Sequence, residues 1–149
     1  MITETEAYDG PKDKASHASR GQTPRNSPMF DDAGTIYVYF TYGMHWMLNI
    51  VCGKKGYPAA ILIRGAGEVV GPARLIKALS IDKSLNHTVL GRKTGLWVED
   101  RGVKILPKQI ARTPRIGVPY AGEYALKPWR FVITLESNGT VRRAQKSRG

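Results

Sequence analysis

The sequence predicts a single α+β domain: a mainly antiparallel, curved β-sheet with a protruding β-hairpin and few helices. Three observations carry that reading. Segments rich in Thr, Val, Ile and aromatic residues recur along the chain, bounded by Gly and Pro. One segment alone, following Gly71-Pro72, has the apolar spacing of a helix. Strands and helices do not alternate as βα units would. The chain has 149 residues, 42% of them hydrophobic and 23% charged, which suits one self-sufficient core and not a disordered basic tail.

Residues 2–8 (I-T-E-T-E-A-Y) alternate and read as the first strand, with Glu4, Glu6 and Tyr8 on one face because side chains repeat every two residues. Residues 9–28 are polar and carry Gly10-Pro11, Gly21, Pro24 and Pro28, so they form a long ordered loop of the kind that serves function. Residues 34–42 (G-T-I-Y-V-Y-F-T-Y) give the strongest strand signal, Gly43 offers a turn, and His45–Val51 returns. Tyr42 then sits at the tip of a hairpin.

Residues 59–64 form a short buried strand ending in Arg64. Gly71-Pro72 opens a helix, with Pro where its missing N–H costs least and with Leu75, Ile76 and Leu79 as the apolar stripe. Residues 83–94 read as loop, 96–99 and 103–106 as short strands, 114–122 as turns and 129–135 as a last strand. Residues 137–149 hold Arg142, Arg143, Lys146 and Arg148 without an acid, and read as a frayed basic tail. No repeat or linker divides the chain, so 1–149 is one domain.

Charge narrows the partner. There are 23 Lys and Arg against 12 Asp and Glu, a formal net charge of +11, which points to a polyanion and most simply to nucleic acid. The single cysteine, Cys52, excludes a disulfide framework and an all-cysteine metal cluster. His17, His45 and His87 lie too far apart for a local zinc motif, and no metal site is expected. No apolar run is long enough to span a bilayer, and no signal peptide is evident. The expectation is a soluble, reduced, cytoplasmic protein, nucleoid-associated in a prokaryote, without membrane contact. Gly65-Ala66-Gly67-Glu68-Val69-Val70-Gly71 imitates a dinucleotide fingerprint but puts Val70 where Gly or Ala is required.

Two glutamates and a tyrosine on one strand face stand out in a chain so short of acids. A carboxylate near a cationic substrate can hold a water as general base and stabilise an oxocarbenium ion. The same glutamates could equally pair with surface Lys or Arg. Tyr8, Tyr37, Tyr39, Tyr42 and Trp46 supply flat rings that stack on nucleobases, although Tyr37 and Trp46 also suit a sheet core.

These residues fall into motifs that span nearly the whole chain. They are E-T-E-A-Y at 4–8, S-H-A-S-R-G-Q-T-P-R-N at 16–26, M-F at 29–30 and G-T-I-Y-V-Y-F-T-Y-G-M-H at 34–45, followed by Leu48-Asn49-Ile50. Then come I-L-I-R at 61–64, G-P-A-R-L at 71–75, R-I-G-V-P-Y-A-G-E at 115–123 and K-P-W-R-F at 127–131. In this order they resemble the alkyladenine (3-methyladenine, methylpurine) DNA glycosylase family of base-excision repair.

The resemblance implies a monofunctional glycosylase that flips alkylated or deaminated purines from double-stranded DNA and hydrolyses the N-glycosidic bond, without cofactor or lyase step. It assigns the general base to Glu6, with Arg64 helping to hold the attacking water. Tyr8, His17 and Tyr39 would surround the flipped base, and Asn49 would discourage guanine by meeting its 2-amino group. Tyr42 would enter the minor groove and fill the gap in the stack. Arg20, Arg25, Met44 and Lys83 are further DNA-contact candidates, and a monomer is expected. The competing reading is a non-catalytic nucleic-acid-binding protein or an inactive truncated remnant of the family. Family members carry a further segment before E-T-E-A-Y, so the expectation is that the Glu6 strand lacks a partner and exposes an edge. The stretch from Arg64 to Gly71 is also shorter than in many relatives, with Gly65-Ala66-Gly67 in place of Ala-x-Glu-Pro.

Overall fold

The computed structural model describes residues 1–134. Seven strands form one antiparallel sheet: β1 (Ile2–Asp9), β2 (Ile36–Thr41), β3 (His45–Val51), β4 (Ala59–Ala66), β5 (Val69–Val70), β6 (Ile110–Thr113) and β7 (Arg130–Ile133). Their order across the sheet is β2-β3-β4-β1-β7-β6, with β5 added beside β4. Among the described residues, one α-helix, α1 (Pro72–Ala78), and several 3₁₀ turns complete the α+β domain. The predicted tail at 137–149 and the end of the predicted last strand at Leu135 lie outside the described residues.

Register decides which side chains meet. Tyr37 pairs with Asn49, Asn49 with Leu62, Leu62 with Glu6, and Glu6 with Arg130, so one row of side chains crosses five strands. Because side chains alternate between faces, Ile36, Val38, Leu48 and Ile63 point the other way. There they pack against Leu75 and Ile76 of α1 and against Ile81 to form the main core. A smaller cluster of Ala18, Met29, Tyr37, Val51 and Ala60 lies on the Glu6 face, under the loop that follows β1. The sheet thus spends one face on the helix and reserves the other for polar and aromatic groups.

Several sequence expectations need correction. β1 is no edge: it lies between β4 and β7, pairing with β7 over Glu4, Thr5 and Glu6. Residues 96–99 and 103–106 are not strands: among the described residues Leu96 alone of them pairs, in an isolated bridge to Gly91. Val98 and Val103, each 62% exposed, face solvent instead. The extra strands are β5 and β6, both too short for periodicity to reveal. Leu79 ends α1 as its C-cap and is exposed, so the helix stripe reduces to Leu75 and Ile76.

The β2 edge is covered from the predicted 83–94 loop. Ile36 N–H donates to Thr88 O (2.7 Å), His87 N–H to Ile36 O (2.8 Å), and Val38 N–H to the Asn86 side-chain oxygen (2.9 Å). Backbone groups that would otherwise invite edge-to-edge pairing are satisfied in this way.

Candidate active site

Glu6 stands at the centre of the reserved face, with none of its surface exposed. Its two carboxylate oxygens have different partners. Oε2 accepts from the Tyr8 hydroxyl at 2.9 Å, and Oε1 accepts from the Ile116 backbone N–H at 2.7 Å. Arg64 Nε approaches Oε1 to 3.6 Å but donates to Glu4 Oε1 at 2.7 Å. The same Glu4 oxygen accepts from Arg130 Nε at 2.7 Å. Burial works to raise the Glu4 pKa, but the bonds to Arg64 and Arg130 and their charges win, and it lies below the ordinary carboxylate value.

An open cavity of roughly 250 Å³ lies in front of Glu6. Glu6, Tyr8, His17, Tyr39, Tyr42, Asn49 and Arg64 all line it, so seven residues singled out in the sequence meet in one place. The strand residues meet because they lie on the same face of adjacent strands. His17 arrives from the loop, on a 3₁₀ turn (His17–Arg20) capped by Ser16 Oγ, which accepts from Ala18 N–H. Asn26 locks that turn by donating from Nδ2 to His17 O (3.0 Å) and Gly21 O (2.9 Å).

The rings form a continuous wall. His17 lies 4.4 Å from Tyr39 between ring centroids, and Tyr39 lies 5.2 Å from Tyr37. His17 Nδ1 and the Tyr37 hydroxyl share a hydrogen bond of 3.0 Å. Burial, then the nearby Arg25 charge, lowers the His17 pKa. Burial pushes the Tyr37 hydroxyl up to about 12. The Tyr8 and Tyr39 hydroxyls are raised too, first by burial and then by neighbours that include Glu6, so the wall is neutral at ordinary pH. Asn49 is buried and donates from Nδ2 to Tyr37 O at 3.3 Å.

Tyr42 is 76% exposed at the hairpin tip. Tyr42 and Gly43 both have positive φ (53° and 65°), and Met44 N–H closes the turn onto Thr41 O at 3.2 Å. A tyrosine held in that backbone region is strained, and an exposed ring gives no packing in return. Its hydroxyl lies across the cavity mouth, 3.6 Å from where a Cβ on Gly117 would stand.

The remaining DNA-contact candidates lie outside the cavity. Arg20 and Lys83 are exposed on 3₁₀ turns, and Met44 is exposed beside Tyr42. Arg25 donates to Phe40 O at 2.7 Å and lies 5.8 Å from the centre of the Tyr39 ring, so it also braces the hairpin. Pairing with arginine, one of the two readings offered for the glutamates, holds for Glu4, although its partners Arg64 and Arg130 are not surface residues. Sequence reasoning gave no role to the Ile116 N–H or to Tyr120 and Val118, which line the cavity. The R-I-G-V-P-Y-A-G-E motif contains the last three, but only the fold brings it beside Glu6.

Comparison with known proteins decides the family. A family profile described as "Methylpurine-DNA glycosylase (MPG)" matches residues 1–137. The chain belongs to the methylpurine-DNA glycosylase family. It is 47% identical to a "Putative 3-methyladenine DNA glycosylase" of Methanocella arvoryzae, over 87% of this chain and 74% of the relative. A protein of the same name from Streptomyces avermitilis is 39% identical over 99% of this chain and 78% of its own length. Another, from Ehrlichia chaffeensis, is 42% identical over 89% and 76%. Among the described residues of this methylpurine-DNA glycosylase family member, no helix is long and apolar enough to cross a membrane.

Proposed function

We propose that this protein is a monofunctional DNA glycosylase that receives a damaged purine, swung out of the duplex, in the cavity before Glu6 and hydrolyses its bond to the sugar. The observation that carries this reading is Glu6 itself: a fully buried carboxylate, hydrogen-bonded on both oxygens, facing an aromatic-walled opening beside an exposed tyrosine on a hairpin tip. Burying a carboxylate is costly, and a fold tolerates it where donors hold the charge.

An N-alkylated purine carries positive charge, so it stacks well on Tyr8 and Tyr39 and leaves as a neutral base. As its bond to C1′ breaks, the electron pair goes to the purine nitrogen and the sugar becomes an oxocarbenium ion. The Glu6 charge stabilises that ion. A water then forms the new bond to C1′ and gives its proton to Glu6, leaving an abasic site. Arg64 orients the water through its N–H groups and takes no proton from it. Asn49 meets the 2-amino group of guanine and disfavours it. Tyr42 fills the space vacated in the stack and opposes return of the base. Among the described residues, no lysine lines the cavity, which supports hydrolysis over Schiff-base chemistry. The 23 basic residues against 12 acidic ones support duplex binding, and the protein acts as a monomer in this reading.

The test is release of free base from a methylated duplex, followed by chromatography, with borohydride added in a parallel reaction. The expected result is free methylpurine, an alkali-labile abasic strand and no trapped protein–DNA adduct. Tight binding to methylated duplex without base release would favour a non-catalytic binder.

A further inference from the structure

The ion pair between Asp13 and Arg115 is completely buried at both side chains and lies behind the cavity. Arg115 donates from its two terminal nitrogens to the two Asp13 oxygens, at 2.6 and 2.8 Å. It also donates to Ala7 O at 2.8 Å and to Tyr124 O at 3.2 Å, which ties β1 to the loop after β6. Its guanidinium lies 4.6 Å from the centre of the Tyr8 ring and 5.0 Å from that of Trp129. Its Nε is buried without an acceptor. Among the described residues that nitrogen stays unsatisfied, and a buried donor left so calls for an explanation in what the residue does for its neighbours.

What it touches identifies the service. Ala7 lies between Glu6 and Tyr8 in β1, and Ile116 directly follows Arg115. We propose, resting on the reading of Glu6 given above, that Asp13 and Arg115 are positioning residues. The pair fixes the Ile116 N–H that holds one Glu6 oxygen and backs the Tyr8 ring whose hydroxyl holds the other. Neither residue lines the cavity. Their effect on the reaction runs through the orientation of the carboxylate, and a displacement of about 1 Å there costs on the order of 100-fold in rate.

Two variants interrupt this line at different points. Arg115→Lys keeps the charge but loses the two-pronged contact with Asp13. Ile116→Pro removes the N–H at a residue that is 52% exposed and not of positive φ, and favours extended backbone at Arg115. Each is expected to slow single-turnover excision from a methylated duplex by roughly 10- to 100-fold while the half-saturating duplex concentration stays within about twofold. Combined, they should be no slower than the slower single variant, because both break one chain of contacts. Amide exchange at Ile116, read by NMR in the free protein, should quicken in Arg115→Lys by about tenfold or more.

Multiplying rate effects, or unchanged Ile116 exchange in folded Arg115→Lys, would overturn the proposal and leave the pair a purely structural one. Should Arg115→Lys not fold, a wild-type excision rate in Ile116→Pro overturns it alone. Absence of base release by the unmodified protein would count against the glycosylase reading instead, and the exchange measurement stands apart from that outcome.

Discussion

Arg64 is bonded to Glu4 and not to Glu6: its Nε lies 2.7 Å from the first and 3.6 Å from the second. Glu4 therefore anchors Arg64 together with Arg130, while Glu6 is held by the neutral donors of Tyr8 and Ile116. Two glutamates two residues apart on one strand face have divided the work, one as anchor and one facing the cavity.

Glu4→Gln should destabilise the protein by about 3 kcal/mol, because it takes from Arg64 and Arg130 the counter-charge they share and leaves Arg64 only the longer contact with Glu6. Urea unfolding at neutral pH checks the magnitude. The pH dependence has a definite sign. The folded-state pKa of Glu4 lies below its ordinary 4.5, so its contribution is complete above that value and is lost as pH falls through the folded-state pKa. The variant should show a shallower acid loss of stability than the parent.

His17 should titrate below its ordinary 6.5, with burial as the larger cause and Arg25 as the lesser. The folded state then resists protonation, and His17 contributes a loss of stability as pH falls below 6.5 that Asn at this position removes. An NMR titration of the imidazole checks the direction. Arg25→Ala should move the midpoint only part of the way back.

Much of this was legible in the sequence, for physical reasons. Alternation placed Glu4, Glu6 and Tyr8 on one face, and Gly43 after an aromatic β-branched run placed Tyr42 at a turn. What stayed hidden depended on register and long-range pairing. Periodicity cannot say that Glu6 opposes Leu62 on one side and Arg130 on the other, nor that Ile116 donates to Glu6 across 110 residues of chain. Residues 96–99 and 103–106 are not strands although they carry Val98, Val103 and Ile105, because β-branched residues mark a strand only where they have a partner to pair with. Tyr37 takes the core reading of the two offered for it, buried in the smaller cluster with its hydroxyl sharing a hydrogen bond with His17.

Tyr42→Ala should leave the melting temperature nearly unchanged, since the ring is 76% exposed and its backbone is strained. Its effect belongs to the flipped complex, where losing a base–aromatic stack costs ~1–3 kcal/mol. Stopped flow with a fluorescent base at the lesion reads the flipped amplitude. Unchanged amplitude with a lowered melting temperature would make Tyr42 a structural residue.

Affinity for undamaged duplex should fall steeply with salt, as basic side chains release phosphate counterions. Arg20→Ala should reduce the slope of log K against log salt by about 0.9 if Arg20 meets one phosphate. The same titration on Lys83→Ala tests whether the contact surface extends to that turn. Arg25→Ala should differ from both, because it also releases the hairpin at Phe40 O.

The reaction proposed here turns on the buried Glu6 carboxylate activating water at the sugar. Glu6→Gln keeps the shape and the Ile116 N–H contact but removes the charge and the basic lone pair. Single-turnover excision from a methylated duplex should fall by roughly 10²–10⁴, with affinity for that duplex largely retained. An excision rate within about threefold of the parent would contradict the account and take Glu6 out of the mechanism.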